Sequence, residues 1–418
     1  MSDSNKIKFF LIFGLILIII VGVIIYFALS VDTDGTGQRR GLGIFLPFTG
    51  NNSDGFFGGQ TPPPPGTIFG PEGELPESER QRLQQLSDEP VIGPYLREGE
   101  NTVVYFKRGL GHIFTAPFNG SEEEKRIVQF TIPDVIDVNW APNGSYAILT
   151  TFNDSLVKNF WVNFTSTSTI ESGAFSDVLL SSTFSPNSRE LASFIKRGAD
   201  YIVRASTPKG TGARTLYQTP MPDYELAWIS PQTLSLQTRG SVYAPSFLEI
   251  LRSTGGTPTM ISSGKLGFDV LWNPQGTRYL ASETDSRGKI ISLAVHNPQD
   301  KRLVEIGLPS LPEKCVFSKR EPVVYCGFPR RFTNDPLPDA WWKGQVSFTD
   351  IVAKFNYETK SLEPVIPGGN FDITNPLLSA DEEYLFFINK KDSTLWSYWM
   401  GTLPAGQAES ATTDETDE

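Results

Sequence analysis

From residue 91 to residue 402, apolar and polar positions alternate over short runs, and Gly, Pro, Asn or Ser breaks each run after 8–12 residues. A helix would place apolar residues at i, i+3, i+4 and i+7, whereas alternation over such short runs predicts half-buried strands. The stretch "NWAPNGSYAIL", residues 139–149, shows the unit: a strand end, a tight turn and a second strand. It recurs along the chain. A large apolar anchor followed by a turn and an apolar strand is found at Leu96, Trp140, Phe184, Trp228, Trp272, Phe317 and Leu378, with spacings of 44, 44, 44, 44, 45 and 61. Short strands at that period predict an all-β propeller of four-stranded antiparallel blades. Seven anchors imply seven blades, or six if Leu96 is a false match. In the Trp140 repeat the strands, A to D, are expected at 135–140, 146–152, 158–164 and 169–172. The anchors should pack between blades. The last repeat ends at its third strand, 394–400, so ring closure needs a strand from elsewhere; residues 44–48 or 67–69 are the expected donors.

Upstream the pattern changes. Residues 9–30 are 22 residues without a charge, about 33 Å as a helix and enough to cross a bilayer's hydrocarbon. This predicts an uncleaved signal anchor; Ala28-Leu29-Ser30 resembles a cleavage site, but the apolar run exceeds that of a secretory signal. Lys6 and Lys8 place residues 1–8 in the cytoplasm, although Arg39 and Arg40 weaken that bias. The propeller, 91–402, is then expected on the extracytoplasmic side of the cytoplasmic membrane. Residues 31–90 read as a Gly/Pro-rich linker with a short helix at 76–86, "PESERQRLQQL", and 403–418 as a disordered acidic tail.

A net charge of −11, from 36 Lys and Arg against 47 Asp and Glu, argues against a nucleic-acid binder. With two cysteines and two histidines, a disulfide scaffold or multi-ligand zinc site is not expected. No hydrolase, metalloprotease or P-loop motif occurs. "DTDGTG" at Asp32 lacks the later Glu of a calcium loop. No cofactor or metal is expected, and His112 and His296 belong to different repeats and read as structural or surface residues. Cys315 and Cys326 flank one predicted A–B turn and would sit directly opposite in that hairpin, within disulfide reach after modest adjustment; two buried thiols are the alternative.

Basic residues recur at one corner of the repeat, the turn between the second and third strands (B–C). They are Lys107 and Arg108, Lys196 and Arg197, Arg239, Arg287 and Lys289, Arg330 and Arg331, and Lys390 and Lys391. Only the Trp140 repeat departs, with Asn153 and Asp154. An anionic partner attracted to this ring is one reading; solvated turns are the other. The longest spacing holds an insertion, "FPRRFTNDPLPDAWWKG" at 328–344, in the same type of turn. Its Trp341 and Trp342 either meet a partner or cover the blade edge.

The turns "FSPNS", "WAPNG" and "WNPQG" followed by strands such as "YLAS" resemble the WD40-like repeat family typified by the periplasmic TolB propeller, with Asn or Gln in place of its Asp. The resemblance covers residues 91–402. It implies a propeller and a bacterial, membrane-anchored member, and it leaves function open. Two functions are then expected to compete. One is an envelope scaffold that binds a protein or anionic polymer. The other is a carbohydrate or wall-polymer binder, even a hydrolase or lyase, which would need carboxylates and a base converging on the central channel.

Overall fold

The computed structural model describes residues 75–97, 99–128, 131–164, 170–299 and 301–401. The expected anchor at 9–30, the linker to residue 74, the Asp32 loop and the acidic tail lie outside the described residues, as do both proposed closing strands, 44–48 and 67–69. Among the described residues no helix is long and apolar enough to cross a membrane.

The described chain opens with a four-residue helix, α1 (Glu77–Arg80), and a short strand, β1 (Leu83–Gln85). Sheets then follow in chain order. β2–β5 are Val91–Arg97, Thr102–Lys107, Ile113–Pro117 and Lys125–Arg126. β6–β9 are Val135–Trp140, Tyr146–Asn153, Leu156–Asn163 and Glu171–Ala174. β10–β13 are Leu179–Phe184, Leu191–Arg197, Asp200–Ser206 and Arg214–Thr219. A seven-stranded sheet comes next, β14–β20: Glu225–Ser230, Thr233–Gln237, Ser246–Arg252, Thr259–Trp272, Tyr279–Thr284, Ile290–His296 and Leu303–Glu305. In it β17 serves twice, residues 259–265 pairing with β16 and 266–272 with β18. β21–β24 are Cys315–Phe317, Val323–Pro329, Asp350–Asn356 and Leu362–Ile366, with a short helix, α2 (Asp339–Trp342), between β22 and β23. β25–β27 are Ile373–Leu378, Tyr384–Asn389 and Thr394–Trp399. Among the described residues every pairing is antiparallel, and all join sequence neighbours except that of β1 with β27.

That exception corrects the expected helix at 76–86. The helix stops at Arg80, because 83–85 gain a ladder with 396–398 and Leu86 is buried beside Val103 and Leu395. Tertiary pairing overrides local helix propensity. A strand from the N-terminal side does complete the last sheet, and among the described residues it is 83–85.

The repeat's turn explains its residues. In "WAPNGSY" the Gly144 amide donates to the Ala141 carbonyl at 2.8 Å, and Asn143 Oδ1 accepts from the Ser145 amide at 3.0 Å. Gly144 has φ +70°, and a Cβ there would come within 2.7 Å of the Tyr95 ring, so glycine is required.

The core lies between neighbouring sheets, where side chains from facing strands interleave. Trp140 shows the anchor's role: its indole donates to the Gly93 carbonyl at 2.8 Å and stacks on Tyr95 of the preceding sheet. Phe386 and Leu395 from the last sheet pack with Val103, Tyr105 and Ala116 from the first described sheet, which closes the circle. First strands lie side by side, β2 with β6, β6 with β10, β10 with β14 and β21 with β25, as the innermost strands of a propeller do around its channel.

Candidate functional site

The position three residues before each anchor falls on a first strand or, for Lys314, in the tight turn just before β21. These residues are Gly93, Asp137, Ser181, Glu225, Asp269, Lys314 and Asn375. Most are polar, and the repeat puts them in one ring. Bulges interrupt the pairing of β6 between Val135 and Asp137, of β10 between Leu179 and Ser181, and of β17 between Leu266 and Asp269. A bulge re-aims the side chains beside it.

The result is a row of carboxylates. Asp269 is buried and accepts from the Gln237 amide at 2.7 Å. Arg239 reaches Glu225 at 2.5 Å. Glu313, in the turn before β21, accepts from the Trp342 indole at 2.5 Å. Asp137 and Glu313 are exposed at the surface, yet the protein around them strips part of their hydration. Loss of hydration raises the Asp137 carboxyl, and the charge of Glu225 adds to it. Burial, then the charges of Glu313 and Glu225, hold Asp269 well above the usual carboxylate range. Glu313 is raised by the same crowding, and the Trp342 hydrogen bond opposes it. Lys390 sits over the face of Trp341, 3.4 Å from the ring centroid, and burial pushes its amine down to about 8. Carboxylates and a base thus meet at this end of the channel. Sequence reasoning singled out Arg239 and Lys390 but missed the carboxylates.

Beside this row lies a fully buried charge cluster. Lys314 Nζ donates to Asp350 at 2.6 Å and to Asp372 at 2.5 Å, and all three side chains are sealed from solvent. Asp372 also accepts from the Trp341 indole at 3.0 Å, the Ser347 hydroxyl at 2.8 Å and the Phe348 amide at 3.0 Å. Burial raises the Asp372 carboxyl, but Lys314 and these donors more than offset it and hold it below the usual range. Burial dominates for Asp350 and raises it; its Oδ1 has no hydrogen-bond partner. Of the two carboxyls, Asp372 is the one whose charged form the surroundings favour.

Asp372 also pins the insertion. The segment touches two sheets besides its own: in β14–β20, Asp339 accepts from Ser241 Oγ and the Val242 amide, both at 2.9 Å, and the Leu337 amide donates to the Gly288 carbonyl at 3.1 Å; in the last sheet, Lys390 donates to the Trp341 carbonyl. Trp341 is buried among Ile290, Leu311, Leu337 and Phe348, so its ring faces inward. Trp342 is half-buried, with Arg239 over its ring. A cavity of about 800 Å³ opens beside the insertion's base, lined by Leu75, Arg80, Arg330, Arg331 and Phe348 among others.

The basic corner has mixed surroundings. Lys107 is buried, pairs with Glu124 and with Glu89 at 3.5 Å, and lies over Phe114. Arg197 pairs with Asp177 at 3.6 Å and Arg287 with Asp285 at 3.8 Å. Arg330 donates to the Pro367 carbonyl, and Lys391 to Thr349 and Asn370. Arg108, Lys196, Arg287, Lys289, Arg331 and Lys391 are exposed. Internal acids thus meet part of the expected positive ring.

The same face carries apolar side chains in the open. Leu110, Ile136, Phe152, Leu156, Val178 and Leu180 are each 44–59% exposed. They come from three successive sheets, tied together by short links. The Asp134 amide donates to the Gly109 carbonyl, the Phe152 amide to the Asp134 carbonyl, and Asn159 Oδ1 accepts from the Leu179 amide at 2.8 Å. Asn139 donates to the Ser182 carbonyl at 2.6 Å, holding β6 against β10. Ile136 and Leu180 stand at the bulges beside Asp137 and Ser181. Exposed apolar side chains gathered at neighbouring strand ends make this a candidate contact site.

The remaining sequence candidates are placed simply. His112 meets Thr131 at 3.0 Å, and His296 stacks on Tyr279 with centroids 4.8 Å apart. Cys315 and Cys326 are directly opposite in β21 and β22 and joined by a disulfide, with Cα atoms 4.1 Å apart. Among the described residues no group of three or more His, Cys, Asp or Glu is placed to hold a metal ion.

No family model and no curated protein matches the sequence. Solved structures do match. An oligogalacturonate lyase in complex with manganese is similar at a TM-score of 0.55 and 9% identity, over 81% of this chain and 96% of that one. The Swd1 β-propeller domain of Myceliophteria thermophila is similar at 0.51 and 10% identity, over 76% and 98%. TolB from Acinetobacter baumannii is similar at 0.44 and 12% identity, over 63% of each chain. At such identities the likeness to the lyase and the Swd1 domain concerns the fold alone, and together with the strand topology it makes this chain a β-propeller, in keeping with the repeat that its sequence resembles.

Proposed function

We propose that this chain is a seven-bladed propeller working as a protein-interaction module, tethered through residues 9–30 to the outer face of a cytoplasmic membrane. The blade count assigns β17 to two blades and β1 to the last. One observation carries the reading: six large apolar side chains from three neighbouring sheets stand exposed on the face of the B–C turns. Water-facing apolar area of this kind is a standing cost unless a partner covers it. The test is site-specific photo-crosslinking of the full chain in its native membrane. A crosslinker in place of Leu156 should trap the same protein reproducibly, and one in place of Asn143, at an A–B turn, should not. Equal or absent products at both positions would refute docking on this face.

A second reading has its own support, the meeting of Asp137, Asp269 and Glu313 with Lys390. Raised carboxyls can give protons and a depressed amine can take them, and one fold neighbour is an oligogalacturonate lyase. Incubation with uronate oligosaccharides, with and without manganese, would test it. Unsaturated products abolished by Lys390→Met would establish a lyase.

A further inference from the structure

We infer that the partner segment presents a lysine or arginine between apolar side chains, with the cation in the channel mouth at Asp137; this rests on the interaction reading above. The geometry divides the channel face into two sectors. In one, the insertion already covers the loops: Asp339, Trp341 and Trp342 are bonded to Val242, Asp372 and Glu313. In the other, six apolar side chains are exposed and flank the start of β6 and β10, whereas beside the insertion Tyr243 and Phe332 are the exposed ones. Ile136 and Asp137 are successive residues at a bulge, which brings an apolar side chain and a carboxylate to the same rim.

Charge selects the occupant. Asp137 forms no ion pair among the described residues, and the charge that acts on it is another carboxylate, Glu225, which is paired with Arg239. Beyond them lie Asp269 and Glu313. The local field favours a cation and opposes an anion. An apolar anion or an anionic lipid surface would bring like charge to this rim, a cost that suppresses wrong partners. The exposed Arg108 and Lys196 stand on the turns that border the patch, and Asp137 is the charge at its inner rim.

The experiment uses the full chain in zwitterionic nanodiscs and fluorescence anisotropy. The probes are a fluorescein-labelled octapeptide of alternating leucine and lysine and its counterpart with glutamate for lysine. The lysine peptide should bind at least about tenfold more tightly than the glutamate peptide, with affinity falling as salt rises. The double variant Phe152→Ser, Leu156→Ser should weaken it by about tenfold or more. Asp137→Asn should weaken it by about three- to tenfold and flatten the salt dependence. Glu358→Gln, on the opposite face, should leave binding unchanged.

Preference for the glutamate peptide would overturn the inference in favour of an anionic partner and leave the interaction reading standing. Lysine-peptide binding indifferent to the Phe152 and Leu156 changes would also overturn it. Adhesion to anionic vesicles lost in the apolar double variant would make the patch a membrane contact and overturn it too. If neither peptide binds, the inference falls, and the Leu156 crosslinking result decides separately whether this face docks a protein at all.

Discussion

His296 and Lys314 show how much single side chains carry in this fold. His296 packs flat on Tyr279, and burial, helped by Lys265, pushes its pKa down to about 4 from 6.5. A group depressed in the folded state stabilises fully above its unfolded value. That contribution is lost as pH falls from 6.5 through 4, and it amounts to at most about 3 kcal/mol. The measurement is unfolding free energy against pH for the wild type and His296→Gln: the difference between them should shrink steadily below pH 6.5, and a constant difference would mean that the ring titrates normally. Lys314 is a harsher case. Lys314→Met leaves Asp350 and Asp372 buried without their cation and should cost about 3–5 kcal/mol in denaturant unfolding. Neither role was legible in the chain. Lys314 reads as one more polar residue before a strand, because its partners lie 36 and 58 residues away. The carboxylate row had a usable signal that went unread: the position three before each anchor is Gly, Asp, Ser, Glu, Asp, Lys or Asn, too polar a series for a strand packed on both faces.

Elements followed the repeat closely where the pattern is local. The Trp140 unit was expected at 135–140, 146–152 and 158–164, and β6–β8 lie there within two residues. Alternation and turn residues determine such strands without help from distant partners. The helix expected at 76–86 failed for the opposite reason, since the ladder with β27 is a contact across more than 300 residues of chain that no local propensity encodes. Its weight can be measured. A chain starting at residue 75 keeps β1, the Arg82 contact with the Gly401 carbonyl and buried Leu86; one starting at residue 88 loses them and should melt about 5–10 °C lower. Equal melting temperatures would show that β1 does not close the ring. The insertion is likewise held by a distant residue. Asp372→Asn should raise hydrogen exchange and protease cutting across 331–348 with little change in the other sheets, because it weakens several donors' shared acceptor at once. Unchanged exchange there would make the segment's apolar packing its sufficient anchor.

For the whole molecule, the repeat made the wheel readable and left its grip obscure. Ring-forming residues recur about every 44 positions and announce themselves; the apolar patch is assembled from one to three side chains in each of three sheets, and none is unusual in its own stretch. The side of the membrane is the remaining large-scale expectation, and the hairpin at Cys315 and Cys326 offers a way to test it. Their placement opposite each other, eleven residues apart in sequence, means that the bond should form wherever the compartment oxidises thiols and stay open where glutathione and thioredoxin keep them reduced. Full-length chain recovered from cells with thiols blocked at lysis should then carry the disulfide, and a form lacking residues 1–30, retained in the cytoplasm, should carry two free cysteines. The oxidised form should also be the more stable by about 2–3 kcal/mol, as expected for so short a closed loop. Free thiols in the full-length chain would place the propeller on the reducing side, and with it any partner the channel face receives.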